Sequence, residues 1–125
     1  GVSTRKVEAV TEQLCGAHFG KSLVSKLCGA LDPLVDAWRN RPLGCFPFVL
    51  VDALVVKVRE DKRVRSCALL VASGVDPDGV RHLLGFDLAD AESEASWQRF
   101  FTGLGERGLA GVDLVVSDDH AGLVL

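Results

Sequence analysis

The chain has 125 residues, the size of one domain or of one domain with a small appendage. Hydrophobic residues make up 48% and charged residues 25%, a globular composition that excludes disorder, collagen-like sequence and coiled coil. The net charge of −3 is unevenly divided: residues 1–42 carry six Lys/Arg against four Asp/Glu, and the remaining residues carry eight against thirteen. A mildly basic head is a weak pointer to nucleic acid.

In chain order, the first 42 residues predict helix, turn, helix. Val7, Val10 and Leu14 recur at helical spacing, with Ser3 or Thr4 as the N-cap. Gly16 and Gly20 bracket a break. Val24, Leu27, Leu31, Leu34, Val35 and Trp38 then mark one face of a second helix. Within it, Asp32-Pro33 predicts a kink or a fresh start capped by Asp32. Arg39–Gly44, with Pro42, is the expected linker.

Beyond the linker the period changes from helical to alternating. Phe48–Val58 and Val64–Val75 predict strands joined by the charged turn Glu60–Arg63. Asp76-Pro77-Asp78-Gly79 is a turn by composition, and Val80–Leu88 predicts a third strand of an antiparallel meander. Asp90 is the expected cap of a helix bearing Trp97, Phe100, Phe101 and Leu104 on one face and ended by Gly108. Val112–Val116 predicts a fourth strand. The fold class is therefore α/β: a helix-turn-helix-like head (residues 1–42), then β-β-β-α-β (residues 43–125), the opening half of a ribonuclease H-like domain. In that fold the fourth strand lies parallel beside the first.

Cys15, Cys28, Cys45 and Cys67 form no CxxC and no secretory segment precedes them, which predicts free thiols in a reducing cytosol. The longest apolar run, Phe46–Val56, is too short for a membrane span and is broken by Asp52. A soluble cytoplasmic protein without a membrane partner is expected. The chain opens on Gly1 and contains no methionine, which predicts a processed product or a segment of something longer.

Asp52 is the most informative residue. Strand alternation puts it on one face with Leu50 and Leu54, in an apolar strand where a carboxylate needs a partner, a proton or a cation. An ion pair with Arg65 and a functional role weigh equally on that residue alone. Asp118 and Asp119 follow the fourth strand, at the end where open sheets place ligands. If strands one and four are neighbours, Asp118 converges on Asp52, and two such carboxylates repel unless a divalent cation lies between them. Hard oxygen ligands suit Mg²⁺ or Mn²⁺, which serve phosphodiester chemistry; a helix N-cap is the competing role for Asp118. His120 is close enough in sequence to support the ligands of such a site or touch substrate, but an exposed helix histidine is the commoner case. Glu92 and Glu94 are read as first-turn carboxylates favoured by the helix dipole.

Two apparent motifs are set aside. Gly16–Ser22 has three residues between its glycines where a phosphate-binding loop needs four, and no strand precedes it. Cys15 and His18 have metal-ligand spacing but lack a fourth ligand. The same break suits a helix-turn-helix whose second helix presents Lys21, Ser22, Ser25 and Lys26 to DNA, or equally a plain helical hairpin.

Several segments together carry a family resemblance: Gly1–Val7, Val51-Asp52-Ala53 with Val56–Arg59, Leu84-Gly85-Phe86 through Glu94, Trp97 and Phe100, Arg107-Gly108-Leu109, and Leu114–Leu123. In that order, and over essentially the whole chain, the sequence resembles Mutator-type transposases of bacterial insertion sequences. The resemblance implies a DNA-binding helical region followed by a ribonuclease H-like DDE core that uses Mg²⁺ or Mn²⁺. Asp52 matches the family's first metal-binding aspartate and Asp118 its second. The third acid, a glutamate, and a Cys-x-x-His element belong downstream of Leu125, and Leu54-Val55 stands where relatives commonly carry a more polar or aromatic pair.

The expected function is that of a transposase fragment. The intact enzyme would bind terminal inverted repeats and cut and join DNA strands, with double-stranded DNA (transposon ends and target) as partner. A homo-oligomer stays open, and the location is cytoplasmic, nucleoid-associated when on DNA. This segment, lacking the third acid, is expected to be inactive by itself. The alternative is a truncated, inactive remnant that only binds DNA.

Overall fold

The computed structural model describes residues 4–15 and 20–118. The chain divides into two compact units, Gly1–Asn40 and Arg41–Leu125. The first holds helices α1 (Thr4–Cys15) and α2 (Lys21–Arg39); the second holds β1 (Phe48–Glu60), β2 (Arg63–Val75), β3 (Arg81–Ala89), α3 (Glu94–Glu106) and β4 (Leu114–Val116).

In the first unit Thr4 is already helical and does not cap α1. Ser3 and residues 16–19 of the expected break lie outside the described residues. Gly20 leads into α2 in an extended conformation, and its carbonyl accepts the Val24 N–H at 3.0 Å. The helix then runs without interruption through Pro33, so no second helix begins at Asp32. Proline has a helix-compatible φ; what it lacks is one N–H, and its ring crowds the carbonyl four residues back, here that of Gly29. Ala30, Leu31 and Leu34 favour the helix while Gly29, Asp32 and Val35 do not, and the helix continues through that local loss. Asn40 ends α2 by donating both its backbone N–H and its side-chain amide to the Asp36 carbonyl.

The second unit is built on a mixed sheet in the order β3-β2-β1-β4. β1 and β2 pair antiparallel over their whole length, from Phe48↔Val75 to Glu60↔Arg63. The turn is shorter than the charge pattern suggests: only Asp61 and Lys62 lie outside the ladder. Both adopt positive φ (47° and 64°), the pairing geometry that suits a two-residue hairpin to the twist of its strands. Asp76 organises the next turn, its Oδ1 accepting the N–H groups of Asp78 and Val80 and its Oδ2 meeting His82 Nε2 at 2.8 Å. Those contacts, the His82 hydrogen bond foremost, hold the Asp76 carboxyl below its ordinary value of 3.8.

Alternation on the first two strands sends Val49, Val51, Ala68, Leu70 and Ala72 to one face, where α3 covers them with Trp97, Phe100 and Leu104. Trp97 is 2% exposed, stacks on Phe101, and donates its indole N–H to Glu92 at 3.1 Å. Glu92 therefore lies ahead of the helix, and Glu94 is the first-turn acid. The cap is Ser93, not Asp90: its Oγ accepts the Ser96 N–H while Ser96 Oγ accepts the Ser93 N–H. Asp90 bonds Arg65 instead. Gly108 closes α3 with φ +89°, conformational space that favours glycine. Glycine is also required at Gly74, where a Cβ would stand 2.8 Å from the Phe46 ring.

The crossover from α3 returns the chain beside β1. Asp113 and Leu114 donate to the Pro47 carbonyl, and β4 pairs parallel with β1 as Phe48↔Leu114, Val49↔Val115 and Leu50↔Val116. Among the described residues no helix is long and apolar enough to cross a membrane, and Cys28, Cys45 and Cys67 are free thiols.

Candidate active site

Within the second unit, no described helix or strand lies on the face of the sheet opposite α3. Asp52 projects there and is exposed, so the burial cost anticipated for it does not arise. Its register partner is Val71, whereas Arg65 lies opposite Val58, six residues further along β1. Arg65 is engaged by Asp90 and, at 2.8 Å, by Glu60. These partners, the Asp90 hydrogen bond first, raise its pKa above the ordinary arginine value. The ion-pair explanation of Asp52 through Arg65 therefore fails on register. What Asp52 Oδ1 does accept is the Ala53 N–H, at 2.8 Å.

Asp118 lies two residues beyond Val116, the last residue of β4, and Val116 is paired with Leu50 two residues before Asp52. The parallel register thus carries the two aspartates along neighbouring chain segments toward one place. Both line an open cleft of about 360 Å³, together with Ser73, Arg81 and Ser117, over an apolar floor that includes Leu50, Val71 and Val116. Neither carboxylate forms an ion pair among the described residues. Asp119 and His120 lie outside those residues. Lys21, Ser22, Ser25 and Lys26 belong to the other unit, where all four are exposed on the first turns of α2.

Ser73 and Arg81 were not legible as site residues. The ladder between β2 and β3 slips by one residue between Ala72 and Ser73. With that irregularity Arg81 pairs with Val75 and shares the face of Asp52; a straight continuation past Ala72↔Gly85 would have turned it to the opposite face. Arg81 Nη2 donates to Ser73 Oγ at 3.2 Å, which leaves most of its guanidinium donors available to a ligand.

Two aspartate carboxylates are hard oxygen donors, and their chemistry fits Mg²⁺ or Mn²⁺. Among the described residues no third His, Cys, Asp or Glu joins them. The cleft thus offers two carboxylates among the described residues and is open to solvent.

The architecture is that of a mixed α/β protein: a two-helix unit followed by a four-stranded sheet with one face covered and an acidic cleft on the other. The sequence matches the model of the family described as "Transposase, Mutator family" across residues 1–125, and the chain belongs to that family. Over 99% of its length it is 48% identical to the transposase for insertion sequence element IS256 in transposon Tn4001 of Staphylococcus aureus. It is 49% identical to the transposase for ISRM5 of Rhizobium meliloti, and 48% identical to that for IS1081 of Mycobacterium tuberculosis, again over 99% of the chain. It spans 32%, 31% and 30% of these relatives, about a third of their length.

Proposed function

We propose that this chain is the part of an insertion-sequence transposase that carries the DNA-binding head and the first two acids of a ribonuclease H-like DDE core. The observation that supports this most is the β1–β4 register, which brings Asp52 and Asp118 to one cleft on an uncovered sheet face. In this reading Asp52 and Asp118 hold a divalent cation from the protein side, and the acid expected downstream completes the set. A cation bound there supplies charge neutralisation and a more acidic attacking water or 3′-hydroxyl. Arg81, steadied by Ser73, presents a planar donor fork to a phosphate of the strand being cut. The open face leaves space for a duplex to approach, and Lys21, Ser22, Ser25 and Lys26 contact DNA from the head.

Nothing in the fold or the comparisons favours the alternative of an inactive remnant. The test uses the full-length transposase containing these residues and assays Mn²⁺-dependent nicking of duplexes bearing the element's terminal repeats. Asp52→Asn together with Asp118→Asn is expected to abolish nicking while leaving repeat binding intact. Nicking that survives the double substitution would sink the assignment.

A further inference from the structure

β1 and β2 are longer than their neighbours. β3 pairs with β2 only from Ala68 onward, and β4 pairs with β1 only at Phe48–Leu50. Among the described residues, 56–67 therefore form a two-stranded ribbon whose strands pair with each other alone. Charge on this ribbon is opposite to that of the unit that carries it. Residues 56–67 contain Lys57, Arg59, Lys62, Arg63 and Arg65 against Glu60 and Asp61; the rest of residues 41–125 contains four Lys/Arg against eleven Asp/Glu. Arg65 is engaged by Glu60 and Asp90, but Lys57, Arg59, Lys62 and Arg63 are all exposed and form no ion pair among the described residues.

Charged side chains on a hairpin tip also discourage edge-to-edge aggregation. Charges of either sign serve that purpose, so it does not account for the segregation of cations onto the ribbon of an acidic unit. Such segregation is the footprint of an anionic partner.

We propose that the β1–β2 ribbon is a DNA-binding arm that grips the phosphate backbone beyond the four-stranded part of the sheet through Lys57, Arg59, Lys62 and Arg63. A two-stranded ribbon is of a size that a DNA groove accepts. At about 3.3 Å per residue, Lys57 and Arg59 stand roughly 17–23 Å along β1 from Asp52. At about 3.4 Å per base pair, that is the length of roughly five to seven base pairs. Lys57 and Arg59 share the strand face of Val49 and Val51, opposite that of Asp52, so this spacing is measured along the strand and the duplex meets the arm at its tip and edge. This assignment rests on the reading of the chain as a DNA-acting transposase segment, but not on the metal site.

The test titrates the 125-residue chain against a fluorescein-labelled 25-base-pair duplex of arbitrary sequence, by anisotropy, in EDTA and over a series of KCl concentrations. Each phosphate contact contributes about 0.9 to the log–log salt slope, so Lys57→Gln/Arg59→Gln/Lys62→Gln/Arg63→Gln should flatten it by about 3 to 4 and weaken low-salt binding at least about tenfold. Lys57→Arg with Lys62→Arg should leave both unchanged. Circular dichroism checks the fold of the quadruple variant, and the Lys57/Arg59 and Lys62/Arg63 pairs, substituted separately, should each show part of the loss. Unchanged affinity and slope in the quadruple variant overturns the arm, as does a parent chain that binds no DNA at low salt. Poly-L-glutamate displacing the duplex equally well at equal charge would also overturn it, in favour of a generic polyanion surface. Mn²⁺ binding, lost in Asp52→Asn/Asp118→Asn and retained in the quadruple variant, reports the cleft separately, so either assignment can fail alone.

Discussion

The two faces of the sheet are made from the same strands and have opposite characters. Toward α3, β1 and β2 present Val49, Val51, Ala68, Leu70 and Ala72, all buried beneath Trp97, Phe100 and Leu104. Away from α3, the same strands present Leu50, Asp52, Val71 and Ser73, and β3 adds Arg81. One face follows the rule that apolar surface is removed from water. The other keeps polar groups above an apolar floor, the composition of a ligand site. The contrast shows that alternation divides labour: one set of residues holds the sheet together so that the next set can stay exposed.

Three substitutions and one control can break or sharpen that contrast. The largest effect is expected on the covered face, where Trp97→Ala removes the largest fully buried side chain and should cost about 3–5 kcal/mol in a denaturant titration. A loss below about 1 kcal/mol would mean that α3 does not hold this face. Ser93→Ala should come next, at about 1 kcal/mol, because it removes the cap of α3. Asp90→Ala is the control and should not reproduce the change as loss of a cap. The smallest effect is expected on the open face, where Asp52→Asn should change the unfolding free energy by no more than about 0.5 kcal/mol. A large destabilisation there would make Asp52 part of the scaffold and remove the distinction between the faces.

The order of elements was readable because each segment keeps its own period: two for Phe48–Val75, and 3.6 for Trp97–Leu104. The convergence of Asp52 and Asp118 was readable for the same reason, once the fourth strand is laid parallel to the first. Other features depend on terms that periodicity does not contain. Asp90 and Ser93 are both good cap residues, and only the reciprocal bond with Ser96 separates them. The exposure of Asp52 depends on which face α3 covers. The continuity of α2 through Pro33 depends on neighbours that hold a helix despite one missing hydrogen bond. Arg81 reached the cleft through a one-residue slip whose only mark in the sequence is a pair of strand glycines beside it, Gly74 and Gly85, which signal an irregularity without fixing its direction.

That slip between Ala72 and Ser73 has a consequence for the acidity response of the cleft. If the strands zipped straight through, His82 would stand opposite Val75 in place of Arg81. A histidine is a residue type that gains or loses its charge near neutral pH, whereas arginine keeps its charge throughout. By displacing the ladder one position, the irregularity selects a permanent cation for the open face, so the cleft keeps a positive charge that does not switch off as the surrounding pH rises.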